Sequence, residues 1–333
     1  MNGSVEVRQF HSAALENNPL GSTADRPVVL YLPPGYATSA ERYPTVYFLH
    51  GFNGTALGWI NVTPFTPNVP ERIDALISSG KTPPFIGVFL DGFTELGGTQ
   101  WINTDGMGRY LDYVVDDAVA FADGQLRTRP GAASRALVGK SSGGYGAMVI
   151  GGLRPDVFGH IGSHSGDACF EYCYLPVFPK VVHALLKGGG VAPWYHEFVR
   201  RGRESKHRGD DHAAIEILAM SATYSPRAGE PLGLDLPFEL QTGALREDVW
   251  ARWLANDPVR LIPQRIDNYR KLSSFFIDCG TRDEFNLRWG TRMIAAALKK
   301  AGVAHVHEEF EDGHMGINYR YERSLGYLVP RLG

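Results

Sequence analysis

Eight short runs rich in β-branched and aromatic residues alternate with longer stretches of helical periodicity, and this alternation restricts the fold more than any other feature. The runs are 5–10 (VEVRQF), 27–33 (PVVLYLP), 44–51 (PTVYFLHG), 84–92 (PFIGVFLDG), 134–140 (SRALVGK), 160–166 (HIGSHSG), 273–280 (SSFFIDCG) and 304–311 (AHVHEEFE). Strands spaced by helices predict a mostly parallel sheet with helices on both faces. YFLH and IGVFL are near-continuous apolar runs, as strands buried on both faces should be, whereas the partial alternation of the earliest runs predicts antiparallel edges. Between them, 109–128 places Leu111, Val115, Ala118 and Ala122 on one helical stripe. The stretch 288–302 does the same with Trp289, Met293, Ala297 and Ala301, and stops at Gly302.

The alternation breaks once. From 167 to 270 there are helical pieces, a KGGGVAPW break and Pro-rich loops, with no strand pattern. The 333 residues therefore read as a single α/β domain, 1–333, carrying a helical insertion, 167–270, that is expected to act as a partial lid over one edge of the sheet. Exposed aromatic residues in it would suit either that lid or a homodimer face. A formal charge of −3 lacks the basic face that nucleic-acid binding needs, and the run RRGRESKHRGDDH mixes acids with its bases, as a solvated face does. No apolar run reaches membrane-spanning length, and the first residues lack the apolar core of a secretory signal, which sets the expected location as the cytoplasm. Cys169, Cys173 and Cys279 are expected as reduced, buried thiols.

The strand at 134–140 runs into GKSSGGYGA, where Gly139-Lys140-Ser141-Ser142-Gly143 fits G-x-S-x-G. A serine on a sharp strand-to-helix turn needs neighbours without side chains on either flank, and the helix beyond aims its N–H groups at the same spot. Ser141 is the expected nucleophile. A serine hydroxyl needs a base, and the base an orienting acid. His314, in EDGHMG after the last strand pattern, is the expected base. The loop after the preceding strand, CGTRDEFN, offers Asp283 as the acid, with Glu284 the runner-up, while Asp278 falls inside the strand end. The oxyanion donors are expected at the Ser142 N–H and at the loop HGFN, from Phe52 with Asn53 the alternative; His50 would brace that loop. A histidine base must be neutral, so activity should rise with pH through roughly 6 to 7. Trp101, Phe170 and Tyr174 follow strand ends and are expected to line a substrate pocket. No metal-ligand spacing, dinucleotide fingerprint or P-loop is present, since Asp116-Asp117 and Asp210-Asp211 sit on helical surfaces; no cofactor is expected.

Together VVLYLPPGY, TVYFLHGFNG, VGKSSGGYGAM, FGHIGSHSGD, IDCGTRDEFN and EEFEDGHMGINYRY resemble the α/β-hydrolase superfamily, and within it the "putative esterase" family of esterase D, enterochelin-esterase-like and antigen 85-type proteins. The resemblance spans nearly the whole chain except the insertion. It implies an α/β-hydrolase fold, the same Ser141, Asp283 and His314, and a small-molecule ester as substrate. Acyl transfer to another acceptor and amide cleavage are the alternatives on one triad, and a non-catalytic binding protein the remote one. The insertion matches none of those members, so no particular substrate follows from them.

Overall fold

The computed structural model describes all residues, Met1–Gly333. Eight strands form one sheet: β1 (Ser4–His11), β2 (Asp25–Leu32), β3 (Thr45–Leu49), β4 (Ile86–Phe89), β5 (Arg135–Lys140), β6 (His160–His164), β7 (Ser274–Gly280) and β8 (Val306–Phe310). Their spatial order is β1-β2-β4-β3-β5-β6-β7-β8. β1 pairs with β2, and β2 with β4, in antiparallel fashion; every later pairing is parallel. All eight expected strands are present within a few residues of the expected bounds, and the two antiparallel pairings fall at the edge where partial alternation predicted them.

Period-two alternation divides each central strand between two cores. Tyr47 and Leu49 of β3, Leu137 of β5 and Phe275 and Ile277 of β7 enter the larger one. Val46 and Phe48, Ala136 and Val138, and Phe276 enter the smaller, where helices α1 (Val69–Ser78) and α10 (Arg320–Leu328) cover the sheet with Ile73, Leu76, Leu325 and Leu328. The larger core is closed by α2 (residues 110–125, with a π-turn over Tyr113–Ala118), α3 (Ser142–Leu153) and α9 (Leu287–Lys300).

The stretch between β6 and β7 consists of helices and loops and adds no strand to the sheet. Its main helices are α4 (Phe178–Lys187), α5 (Val191–Arg203), α6 (Asp211–Tyr224), α7 (Glu247–Leu254) and α8 (Pro258–Gln264). Phe178, Val181 and Leu185 of α4, Ile217 and Leu218 of α6 and Trp253 of α7 belong to the same apolar cluster as the sheet. Removing the stretch would therefore open the larger core.

Two sequence expectations change. On α9 the buried stripe is Leu287, Thr291, Ile294 and Leu298, whereas Trp289 is 43% exposed and Met293 40%. Gly290 is what turns the helix this way: a Cβ there would stand 2.6 Å from the Ala168 carbonyl oxygen, so that face presses on backbone and the large residues point out. Nor is the basic run of α5 simply solvated. Arg201 is buried and forms a two-pronged ion pair with Asp211, at 2.6 and 2.8 Å, which closes the loop between α5 and α6. The three cysteines are free and buried, as expected. No helix is long and apolar enough to cross a membrane.

Candidate active site

β5 delivers the chain to Ser141, and α3 starts one residue later. Ser141 has φ 57° and ψ −126°, a conformation that L-residues avoid and that persists only where the surroundings enforce it. The enforcement is visible. A Cβ on Gly139 would lie 2.3 Å from the Gly143 carbonyl, and one on Gly143 would lie 2.0 Å from the Leu49 carbonyl oxygen. Backbone thus fills the space on both flanks of the serine. The Ser141 N–H donates to the His164 carbonyl (3.0 Å) and its own carbonyl accepts from Tyr145 (2.8 Å), so the turn is pinned from strand and helix sides.

The loop after β3 lies directly beside this turn, since a Cβ on Gly51 would stand 3.1 Å from Ser141 Cβ. His50 braces it: Nδ1–H donates to the Gly51 carbonyl (2.8 Å) and Nε2 accepts from the Gly92 N–H (2.8 Å). Both partners fix one neutral tautomer, and burial pushes the His50 pKa down in the same sense. The Asn53 N–H is spent on the Gly97 carbonyl (2.9 Å), which leaves Phe52 as the loop donor of the expected pair.

The third component comes from the loops after β7 and β8, strands parallel to β5 in the same sheet. His314 Nδ1–H donates to Asp283 Oδ2 at 2.8 Å, with both side chains buried. Burial by itself would raise the Asp283 pKa. The hydrogen bond from His314, the imidazole charge and the N–H groups of Phe285 (3.0 Å) and Leu287 (3.4 Å) outweigh it and hold the carboxyl below its ordinary value. Glu284, the alternative acid, serves the backbone instead, with Oε2 accepting the His314 main-chain N–H at 2.6 Å. Gly280 lets the histidine loop close in, because a Cβ there would meet the Asp312 carbonyl oxygen at 2.4 Å.

At rest the Ser141 hydroxyl donates to Asp167 Oδ1 at 3.4 Å, and no hydrogen bond joins it to His314. Asp167 closes the SHSGD motif, and sequence reasoning gives it no role. It accepts from Gln100 Nε2 (3.1 Å) and Tyr174 OH (3.0 Å), and its burial pushes its pKa up. A stripe of α6 stands opposite. His212 meets Phe52 edge-on with centroids 5.9 Å apart, and four residues further on is Glu216. Met220, a turn beyond, brings its sulfur to 2.9 Å from Gln100 Nε2 and 3.4 Å from Tyr174 OH. Only the polar–apolar mixture of that helix hints at this in the sequence.

Two expected pocket residues are corrected. Trp101 and Phe170 are fully enclosed, with no surface to offer a substrate. Trp101 instead donates to the His50 carbonyl (3.1 Å) and packs under Gly146, and Phe170 packs in a cluster with Tyr145, Tyr174 and Tyr224. Tyr174 reaches the site through its hydroxyl on Asp167. A second Ser–His–Asp constellation exists, with His164 between Asp278 (2.7 Å) and Ser324 (2.8 Å). All three are sealed in the core, and Arg320 completes the charge balance on Asp278 at 2.8 Å, so this group anchors α10 and has no access to a substrate.

A serine on a strand–turn–helix elbow, with an acid after β7 and a histidine after β8 of this strand order, defines a protein of the α/β-hydrolase fold. The chain belongs to the family described as "Putative esterase", which matches residues 22–322. It is 30% identical over 168 residues to an endo-1,4-beta-xylanase/feruloyl esterase of Xylanibacter ruminicola, covering 48% of this chain and 22% of that one. An esterase of Mycobacterium tuberculosis, MT1326, is 24% identical over 346 residues, covering 97% of this chain and 58% of the relative. The chain thus spans only part of the length of both. A solved ferulic acid esterase superposes with a TM-score of 0.63 at 18% identity, over 99% of this chain and 98% of that one, a likeness of fold.

Proposed function

We propose that this protein is a serine hydrolase that cleaves carboxylic esters through an acyl-enzyme, with Ser141 as nucleophile, His314 as base and Asp283 as its orienting acid. The reading rests above all on Ser141: a non-glycine residue held at φ 57° at the start of a buried helix, beside the Gly51–Phe52 loop. Strain of this kind, with no function to serve, would be relieved by ordinary packing. In the proposed cycle the Ser141 hydroxyl turns from Asp167 to His314 Nε2, whose other nitrogen is held by Asp283. His314 takes the proton as Oγ attacks the ester carbonyl. The oxyanion is met by the N–H groups of Phe52 and Ser142, each such donor contributing about 10²- to 10³-fold to turnover. His314 then protonates the leaving alcohol, and water repeats the sequence on the acyl-enzyme.

The test is turnover of p-nitrophenyl esters from acetate to decanoate, with methyl ferulate added because one relative's name includes feruloyl esterase. The expected result is hydrolysis by the wild type and none by Ser141→Ala. Equal rates in both proteins would overturn the assignment.

A further inference from the structure

Buried acids in this protein find cations. Asp91 meets Arg26, Asp211 meets Arg201, Asp257 meets Arg260 and Asp278 meets Arg320, while Asp283 accepts from the His314 imidazole. Asp74 is served instead by the backbone N–H groups of Asn2 and Gly3 and by the Tyr31 hydroxyl. Asp167 and Glu216 depart from this rule. Asp167 is 5% exposed and has only uncharged donors, Gln100, Tyr174 and the two serines; Glu216 is partly buried with no hydrogen-bond or ion-pair partner.

A further orphan points to the same place. Gln100 is wholly buried and turns its amide into this cluster: Nε2 is engaged by Asp167, Ser142 and Met220, while Oε1 has no partner at all. The carboxylate fixes which end of the amide faces it, so the lone acceptor cannot be removed by flipping the group. The cluster therefore holds two carboxyl groups and an amide oxygen with no lysine or arginine hydrogen-bonded to any of them, and His314 and Lys140 act on Asp167 only through space. Its edge is the nucleophile itself, as Asp167 Oδ1 lies 3.4 Å from Ser141 Oγ. An acyl group attached to Ser141 starts from an oxygen 3.4 Å from this carboxyl.

We propose that Asp167 and Glu216, with Gln100 Oε1, form a cation subsite beside the nucleophile, and that the preferred ester carries a protonated amine within two or three carbons of the scissile carbonyl on its acyl side. The ammonium supplies the donors and the positive charge that this cluster lacks, and a buried carboxylate without a counter-charge is costly to keep ionised. Consistent with that deficit, burial and the neighbouring Asp167 push the Glu216 pKa up to about 8. A bound ammonium would favour ionisation of the two carboxyls, whereas an anionic acyl group would add a third acidic group to them and be disfavoured. The inference rests on the esterase reading above and names the class of ester.

The experiment compares kcat/KM for phenyl β-alaninate, phenyl butyrate, phenyl 3-hydroxypropionate and monophenyl succinate at pH 7, following phenol release by the full chain. β-Alanyl and butyryl groups match in shape and differ in charge, so their ratio within one protein cancels any loss of folded enzyme. The expected result is a preference of about tenfold or more for β-alaninate over butyrate, with the succinate poorest. In Glu216→Gln, and separately in Asp167→Asn, that ratio should fall to within about threefold of unity. Butyrate turnover without a β-alaninate preference in the wild type overturns the subsite and leaves the esterase reading standing. Equal acceleration of the hydroxypropionate shows that a neutral donor suffices and overturns the charge assignment. Turnover of none of the four overturns both.

Discussion

Replacing Glu216 by Gln should stabilise the protein, and by an amount that depends on pH. The Glu216 carboxyl has its pKa pushed from an ordinary 4.5 to about 8, first by burial and then by Asp167. Between those two values the folded chain holds a proton that the unfolded chain has released, so stability falls as pH rises from about 4.5 to about 8. The full difference corresponds to about 5 kcal/mol. Because the side chain is only partly buried, water screens much of it, and about 1–3 kcal/mol is the expected cost at pH 8.5. Glutamine keeps the shape and cannot ionise. Thermal melts of wild type and Glu216→Gln at pH 4.5, 6, 7 and 8.5 should show no gain at the lowest pH and a gain of about 2–6 °C at the highest. A constant difference across the series, or a loss at pH 8.5, would refute the picture of an uncompensated carboxyl beside Asp167.

Gly143→Ala should cost about 3 kcal/mol or more, seen as loss of soluble folded protein, because its Cβ would land 2.0 Å from the Leu49 carbonyl oxygen in a central strand. Gly124→Ala, with nothing within 4 Å in α2, should instead stabilise by about 0.5–1 kcal/mol, read as a higher melting temperature. Asp283→Asn should lower kcat by about 10³- to 10⁴-fold with KM little changed, since the amide no longer holds His314 in the required tautomer. At the other edge, Arg292 and Arg288 hold the Glu309 pKa down at about 2; that stabilisation is present above about 4.5 and is lost as pH falls towards 2. Glu309→Gln should therefore lower Tm at pH 7 by the equivalent of about 1 kcal/mol, and the difference should shrink steadily in melts below pH 4.5, towards zero at about pH 2.

Strand content and order of use are legible in the sequence because buried strands leave little freedom: β3 and β4 are near-continuous apolar runs with one reading, and G-x-S-x-G has few homes outside a strand-to-helix elbow. Ser141, Asp283 and His314 can be ranked because each follows a strand end in chain order. The side chains around them cannot. Trp101 and Phe170 follow strand ends as pocket residues do, yet Gly92 and Gly146 leave a slot that Trp101 fills from within. Size alone points to Trp289 and Met293 as the buried face of α9, whereas Gly290 sets the contact face. Asp167 and Glu216 lie far apart in the chain and meet only through tertiary packing, so neither stretch alone marks them. The acidic end of SHSGD, where a strand runs out beside the nucleophile's turn, is the signal for Asp167, and the polar–apolar mixture of α6 the signal for Glu216.

The most direct test of the central claim is to treat the purified chain with a fluorophosphonate and map the adduct by mass spectrometry of the digested protein. The account predicts one phosphonyl group per chain, on Ser141, absent from Ser141→Ala and slowed in Asp283→Asn. Labelling elsewhere, or none in a protein that melts cooperatively, would contradict it.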